Sequence, residues 1–316
     1  MNIVILGWPT ITNGDISPKS FEGLGSVKCY DVLSEEDACR VVFDAEAILV
    51  NRVVISEKIV ESAPKLKYIG SFATGYNNID VRAAKKRGIT VTNVPGYSTE
   101  AVATHTIGFL LALALQLVKY DAHVKGGGWS FKPGCNCFPF KTFELSGKVL
   151  GLYGFGNIGK RVATLAAAFG MEVIYYSRSE HNTEIARRVD FETLVTKSDF
   201  ISLHAPLTPD TANVFDSEVF NKMKPTAYFI NTARGGLVDE KALAYALNKG
   251  VIAGAAVDVT ANEPLNSSSP LFTAKNCIFT PHVAWGSIET RERLVLLAYE
   301  NLKRFLDNDP INVVEE

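Results

Sequence analysis

The chain has 316 residues, nearly half of them apolar, with 32 basic and 34 acidic side chains. That length suggests two domains with large cores, and the near-neutral balance lacks the basic surplus that phosphodiester binding needs, so no nucleic-acid partner is expected. Five cysteines, an odd number, are scattered along the chain, which reads as free thiols in a reducing compartment.

Met1-Asn2 passes directly into the strand-like Ile3-Val4-Ile5-Leu6, with no basic stretch or cleavage site ahead of it, so a cytoplasmic location is expected. No membrane partner is expected either: the longest apolar run, Ile107 to Val118, is shorter than a membrane span and contains Gln116. Cys135 and Cys137 form a C-x-C with no second Cys or His pair nearby, and no metal site is expected.

The first hundred residues alternate short strands and helices. Strands are predicted at Ile3–Leu6, Val27–Tyr30, Ala47–Val50, Tyr68–Ser71 and Thr90–Thr92, and helices at Glu35–Phe43, Ser56–Ser62 and Val81–Arg87, several opening on Ser or Asp as N-caps. This is a small α/β unit. At the end of its fourth strand, Ala73-Thr74-Gly75 begins a turn that either leaves backbone N–H groups for an anion or only links strand to helix. Asn93-Val94-Pro95-Gly96 marks a boundary. A long apolar helix is predicted from Thr99 to Val118, followed by Gly126-Gly127-Gly128-Trp129 and an irregular stretch to Phe143, either mobile or wrapped over a neighbour.

The strongest pattern follows. Lys148-Val149-Leu150-Gly151-Leu152-Tyr153 runs into Gly154-Phe155-Gly156-Asn157-Ile158-Gly159, and Val162, Leu165, Ala166 and Phe169 continue with helical spacing. Strand, glycine turn and helix together are the context a dinucleotide fingerprint needs. Gly154 allows the turn, Gly156 lets a pyrophosphate approach, and Gly159 allows close helix–strand contact. The next strand, Val173–Tyr176, ends at Ser177-Arg178, where an acidic residue would bind the ribose 2′-hydroxyl of NAD. A hydroxyl beside a cation favours a 2′-phosphate, so NADP(H) is expected over NAD(H). Alternatively, Arg178 faces solvent or stacks on the adenine, and both cofactors are used.

Further strands are predicted at Phe200–Leu203, Ala227–Asn231, Ala253–Asp258 and Cys277–Thr280. Each ends at a polar or small cluster: His204-Ala205-Pro206, Asn231-Thr232-Ala233-Arg234-Gly235-Gly236, Asp258-Val259-Thr260 and Thr280-Pro281-His282. In a parallel sheet these clusters share the carboxyl edge, where cofactor and substrate meet, which makes His204 and Thr232 cofactor candidates. Ser287–Leu306 reads as an amphipathic helix with Leu294, Leu297, Ala298, Leu302 and Phe305 on one face.

Arg234, Glu263 and His282 are the candidates for the chemistry, each with a plain alternative: a strand cap, the start of a loop, and a turn or core residue. Hydride transfer to a ketone leaves an alkoxide that needs a proton, and His282 is the natural donor. A carboxylate beside the imidazole fixes its orientation and favours the imidazolium, which suits Glu263. The forked guanidinium of Arg234 can bind a substrate carboxylate and polarise the keto oxygen.

Taken together, the glycine fingerprint, Asn231 to Asp239, Asp258 with Glu263-Pro264, and Thr280-Pro281-His282 resemble the D-isomer-specific 2-hydroxyacid dehydrogenase family along the whole chain. The resemblance implies an α/β fold of two doubly wound parallel-sheet domains, a Rossmann cofactor domain (99–286) inserted into a flavodoxin-like substrate domain (1–98 and 287–316). It implies an active site between the domains, with Arg234 as substrate anchor, Glu263 as the histidine's partner and His282 as acid/base. Backbone at Ala73, Thr74 and Gly75 would bind the substrate carboxylate, and Asn157, Ile158, Pro206, Thr211, Ala233 and Asp258 would surround the cofactor. A homodimer is implied, joined in part through the cofactor domain.

Ala73 to Asn77 and the segment Cys135 to Phe140 are most similar to glycerate dehydrogenases, also called hydroxypyruvate reductases. Two residues depart from the family: Ser177-Arg178 replaces the acidic residue of NAD-dependent members, and Thr104 stands where many relatives carry Glu or Gln. The expected activity is NAD(P)H-dependent reduction of hydroxypyruvate or glyoxylate to the D-2-hydroxy acid, and the reverse. The alternatives are a dinucleotide-sensing, corepressor-like binding protein, or a dehydrogenase of a bulkier D-2-hydroxy acid.

Overall fold

The computed structural model describes residues 1–32, 34–130 and 138–314. The chain divides into two compact units, one formed by Met1–Ser98 with Trp285–Glu316 and the other by Thr99–Ala284.

In the first unit, strands β1 (Asn2–Leu6), β2 (Ser26–Tyr30), β3 (Ala47–Val50), β4 (Tyr68–Ser71) and β5 (Thr90–Thr92) alternate with helices α1 (Glu35–Val41), α2 (Glu57–Ser62) and α3 (Val81–Lys86). Each helix starts where the sequence placed a cap: Ser34, Ser56 and Asp80 accept from the N–H of Asp37, Ile59 and Ala83, worth about 1 kcal/mol apiece. The strands pair in parallel in the order β2-β1-β3-β4-β5, a doubly wound, flavodoxin-like order. Side chains alternate across the sheet. Val4, Leu6, Ile48 and Val50 enter one core, while Ile3, Ile5, Ala47 and Leu49 enter another, closed by Leu294, Val295, Ala298 and Leu302 of the C-terminal helix Ile288–Leu306.

The second unit begins with α4 (Thr99–Ala114) and α5 (Leu117–Lys125). The sequence reading ran one helix through to Val118; instead α4 stops at Ala114, and Gln116 takes a left-handed φ of 52°. The reason is local. The buried Gln116 side chain donates to the Leu113 carbonyl at 2.5 Å and to the Tyr228 hydroxyl at 3.3 Å, which secures the bend. Among the described residues no single helix is long and apolar enough to cross a membrane; α4 and α5 pass that test only as a pair bent by 57°. The Cys135–Cys137 motif lies outside the described residues. Phe140 packs on Tyr120 and His123, and Phe143 on Phe200 and Tyr228, so this end of the irregular stretch is wrapped onto its own unit.

The rest of the unit is β6 (Val149–Tyr153), α6 (Asn157–Ala168), β7 (Glu172–Tyr176), β8 (Arg187–Arg188), α7 (Phe191–Lys197), β9 (Phe200–Leu203), α8 (Ser217–Lys222), β10 (Tyr228–Asn231), α9 (Glu240–Lys249), β11 (Gly254–Val257) and β12 (Cys277–Phe279). All seven strands pair in parallel in the order β12-β11-β10-β9-β6-β7-β8, so the order reverses between β6 and β9, as in a Rossmann sheet. Register fixes the site. Tyr153 pairs with Tyr176 and Leu203, Leu203 with Asn231, Asn231 with Val257, and Val257 with Phe279. Gly154, Ser177, His204, Thr232, Asp258 and Thr280 therefore emerge side by side along one edge.

An ion pair ties the C-terminal helix to the amino-terminal part of the first unit. Arg291 grips both carboxylate oxygens of Asp15 at 2.7 and 2.8 Å and also donates to the carbonyls of Ile11 and Gly286, the bidentate geometry that makes such pairs specific. The guanidinium holds Asp15 well below the usual carboxylate range. A depressed folded pKa contributes stability that is complete above about pH 4 and lost as pH falls. Arg291→Met should therefore lower the thermal midpoint at pH 7, and the difference from the parent should shrink as melting is repeated below pH 4.

Candidate active site

The three glycines of the fingerprint occupy distinct environments. Gly154 has φ 100°, and a Cβ there would lie 2.6 Å from the backbone of His204 and Ala205; the turn is pressed against the end of β9. A Cβ on Gly159 would lie 2.6 Å from the Gly154 carbonyl oxygen, whereas one on Gly156 would meet nothing within 4 Å. Gly156 caps α6 without a side-chain bond, and no acidic residue stands in the first turn. The N–H groups around Asn157 and Ile158 and the positive end of the helix thus suit an anion.

After β7, the Ser177 hydroxyl donates to the Ser179 carbonyl, and Arg178 is exposed. The sequence reading missed a second cation here. Arg188, on the unforeseen strand β8, donates to the carbonyls of Ser177 and Arg178, both at 3.0 Å. His204 pairs with the Ser202 hydroxyl at 3.0 Å, and burial pushes its pKa down to about 3, so it meets a ligand only as a neutral ring. Thr211 donates to the Pro206 carbonyl at 2.8 Å and accepts from the Thr208 N–H, shaping the loop it shares with Pro206. The largely buried Thr232 hydroxyl bonds Thr106 of α4 at 3.0 Å, which links the end of β10 to α4.

At the end of β10, Asn231 holds the following turn, accepting from the Ala233 N–H and donating to the Arg234 carbonyl. Arg234 is half-buried and donates to the Ala233 carbonyl at 2.7 Å; it forms no ion pair among the described residues. Beyond β11, Thr260 lies so close to Gly235 that a Cβ there would clash with its backbone, and Glu240 accepts from the Ala261 N–H at 2.6 Å. This seat carries Glu263. Its carboxylate accepts from the Thr260 N–H at 3.2 Å and meets His282 Nδ1 at 2.5 Å.

His282 has φ 56°, a left-handed conformation that costs about 1–3 kcal/mol unless its surroundings hold it. Asp258 holds it. The Asp258 carbonyl accepts from the His282 N–H at 2.7 Å. Its buried carboxylate accepts from the N–H groups of Val283 and Ala284, at 2.8 and 2.9 Å, and from the Thr280 hydroxyl. Asp258 was read as a cofactor neighbour; the structure gives it the further task of shaping the histidine turn. His105 of α4, absent from the sequence reading, stands behind this group 3.1 Å from the Thr280 hydroxyl. Burial pushes His105 below its ordinary value, against the opposing charge of Asp258.

In the first unit, the carbonyls of Ala73, Thr74 and Gly75 accept from the Val94 N–H, the Asn93 amide and the Ser71 hydroxyl. None of the three N–H groups donates to another described residue.

A family model described as D-isomer specific 2-hydroxyacid dehydrogenase, NAD binding domain, matches residues 107–284, more than half of the chain. The chain belongs to that family. A hydroxypyruvate reductase of Blautia hydrogenotrophica is 36% identical to it over the full length of both chains. A glyoxylate reductase of Thermococcus litoralis is 44% identical, covering 83% of this chain and 81% of its own. Among solved structures, an acyclic imino acid reductase in complex with NADPH and D-Arg is similar with a TM-score of 0.87 and 32% identity over the whole of both chains.

As a member of this dehydrogenase family the protein is an oxidoreductase, and its second unit fits a dinucleotide by its own geometry. The space beside Gly156 is open where the other two fingerprint glycines are packed tight. Thr104, the second departure from the family, is exposed on α4, and nothing in the structure explains it. Gly156→Val should leave the thermal midpoint near the parent's while weakening NAD(P)H affinity by at least about tenfold. Gly159→Ala should instead lower the midpoint, because its new Cβ meets backbone. Melting curves with and without NAD(P)H, alongside fluorescence titration, separate the two effects.

Proposed function

We propose that this chain reduces a small 2-keto acid, hydroxypyruvate or glyoxylate, to the D-2-hydroxy acid with NADPH preferred over NADH, and catalyses the reverse oxidation. The observation that carries the reading is the Glu263–His282 pair at 2.5 Å, on a sheet edge that also presents the glycine turn and Arg234. The names of the hydroxypyruvate and glyoxylate reductase relatives support the substrate class.

When bound, the dinucleotide supplies the hydride. The chain supplies the proton and the orientation. With Nδ1 directed at Glu263, the imidazole transfers its proton through Nε2 to the oxygen that develops negative charge, a contribution of about 10²–10⁴-fold. Glu263 fixes the ring's tautomer and balances the imidazolium. Arg234 binds the substrate carboxylate and draws charge from the keto oxygen. The Ala73-Thr74-Gly75 turn is a carboxylate site in its own right, supported by its three undonated N–H groups. A cytoplasmic homodimer belongs to the same reading, with exposed Leu115, Leu117, Val118 and Val124 around α5 as candidate interface.

The test is steady-state oxidation of NADPH and NADH in parallel with hydroxypyruvate, glyoxylate and pyruvate. Negligible turnover of all three, despite cofactor binding, would favour a dinucleotide sensor or a bulkier acid. His282→Asn should lower kcat by about 10² or more with cofactor affinity nearly unchanged; lost NADPH binding with intact chemistry would make His282 a cofactor residue instead. Arg178→Leu should raise the KM for NADPH by about 10–100-fold and leave that for NADH little changed. A parallel rise for both cofactors would remove the 2′-phosphate assignment.

A further inference from the structure

The turn that carries His282 is supported from behind by a residue outside every motif. His105 Nε2 lies 3.1 Å from Thr280 Oγ1, and Thr280 donates to Asp258 Oδ1. A hydroxyl has one proton. Since that proton goes to the carboxylate, Thr280 Oγ1 accepts from the imidazole, and the network assigns a proton to Nε2 of His105. The ring sits edge-on against Phe109, with centroids 4.5 Å apart at 77°, and Nε2 is 3.9 Å from Asp258 Oδ1. His105, Thr280 and Asp258 thus form one line from α4 to the backbone of Val283 and Ala284.

We propose that His105 is a positioning residue for the proton donor, acting through Thr280 on the Asp258-held turn; this rests on the reading of His282 as the acid/base group. The donor on Nε2 orients the Thr280 hydroxyl so that its proton stays on Asp258. Without it the hydroxyl can rotate to another acceptor, and the Asp258 carboxylate loses one of its three donors, the other two being the backbone N–H groups of Val283 and Ala284. The carboxylate then turns more freely against the N–H groups of Val283 and Ala284, and the left-handed backbone of His282 loses part of its restraint. A reacting group misplaced by about 1 Å can cost up to about 10² in rate, so a partial loosening should appear in kcat.

The experiment compares His105→Phe, His105→Gln, Thr280→Val, Thr280→Ser and the His105→Phe/Thr280→Val double variant with NADPH and whichever of the three keto acids turns over fastest. Melting curves and NADPH titration accompany each. His105→Phe should lower kcat about tenfold with NADPH affinity within about twofold of the parent. His105→Gln, which keeps an N–H donor, should recover most of the loss. The double variant should be no slower than Thr280→Val alone, since both changes break one path. A parental kcat for His105→Phe, multiplicative losses in the double variant, or a Gln variant no better than Phe would each overturn the proposal. If His105→Phe does not fold, the Thr280→Val and Thr280→Ser pair decides: a serine as slow as valine overturns it, and a serine near the parent supports it. His282→Asn separates the two readings. Surviving turnover in that variant removes the proton donor itself, whereas an inactive His282→Asn beside a parental His105→Phe removes only the positioning role.

Discussion

A buried carboxylate organises the edge of the second unit that carries the candidate site. Asp258 is 3% exposed, and removing an ionised carboxylate from water costs several kcal/mol unless donors meet its oxygens. Thr280, Val283 and Ala284 supply them. Two of these donors are consecutive backbone N–H groups directly after His282, so satisfying the charge and shaping the turn are a single event. The unusual backbone at His282 persists because the alternative leaves a buried charge without its donors.

The other half of the pair is secured from the neighbouring strand. Glu263 lies on a loop pressed against Gly235 and tied to Glu240, both of which follow β10, whereas His282 depends on β11 and β12. A bond of 2.5 Å between side chains 19 residues apart thus reports the alignment of three adjacent strands. A parallel sheet with fixed register makes such alignment reproducible, because every strand delivers its next residue to the same edge.

Much of this was legible in the sequence. Strands such as Ala47–Val50, Tyr68–Ser71 and Phe200–Leu203 are short apolar runs between turn residues, and burial on both faces demands that pattern. Because the candidate site lies just beyond strand ends, reading the strands also brought Arg234, Glu263 and His282 into view as candidates. What escaped depended on tertiary contact. The end of α4 is set by Gln116 bonding Tyr228, 112 residues away. Strand β8 consists of two arginines, with no apolar signature. The contact of Thr232 with Thr106 joins residues 126 positions apart. His105 is a lone histidine on an apolar helix, and nothing local distinguishes it until Thr280, 175 residues later, comes within reach.

The placement of Ile288–Leu306 bears on how the chain is made. One face of the first sheet, with Ile3, Ile5, Leu49 and Tyr68, is closed by Leu294, Val295, Ala298 and Leu302, and Asn93 and Thr92 pair with Asn312 and Val313. During synthesis the first 98 residues leave the ribosome nearly two hundred residues before their cover does. The second unit is continuous and needs no distant segment, so it can complete its sheet while the amino-terminal one still has an open apolar face. In a nascent chain, where domains fold as they emerge, the central unit can complete its core first, and the amino-terminal unit keeps an open apolar face, exposed to chaperones and to aggregation, until Ile288–Leu306 has emerged.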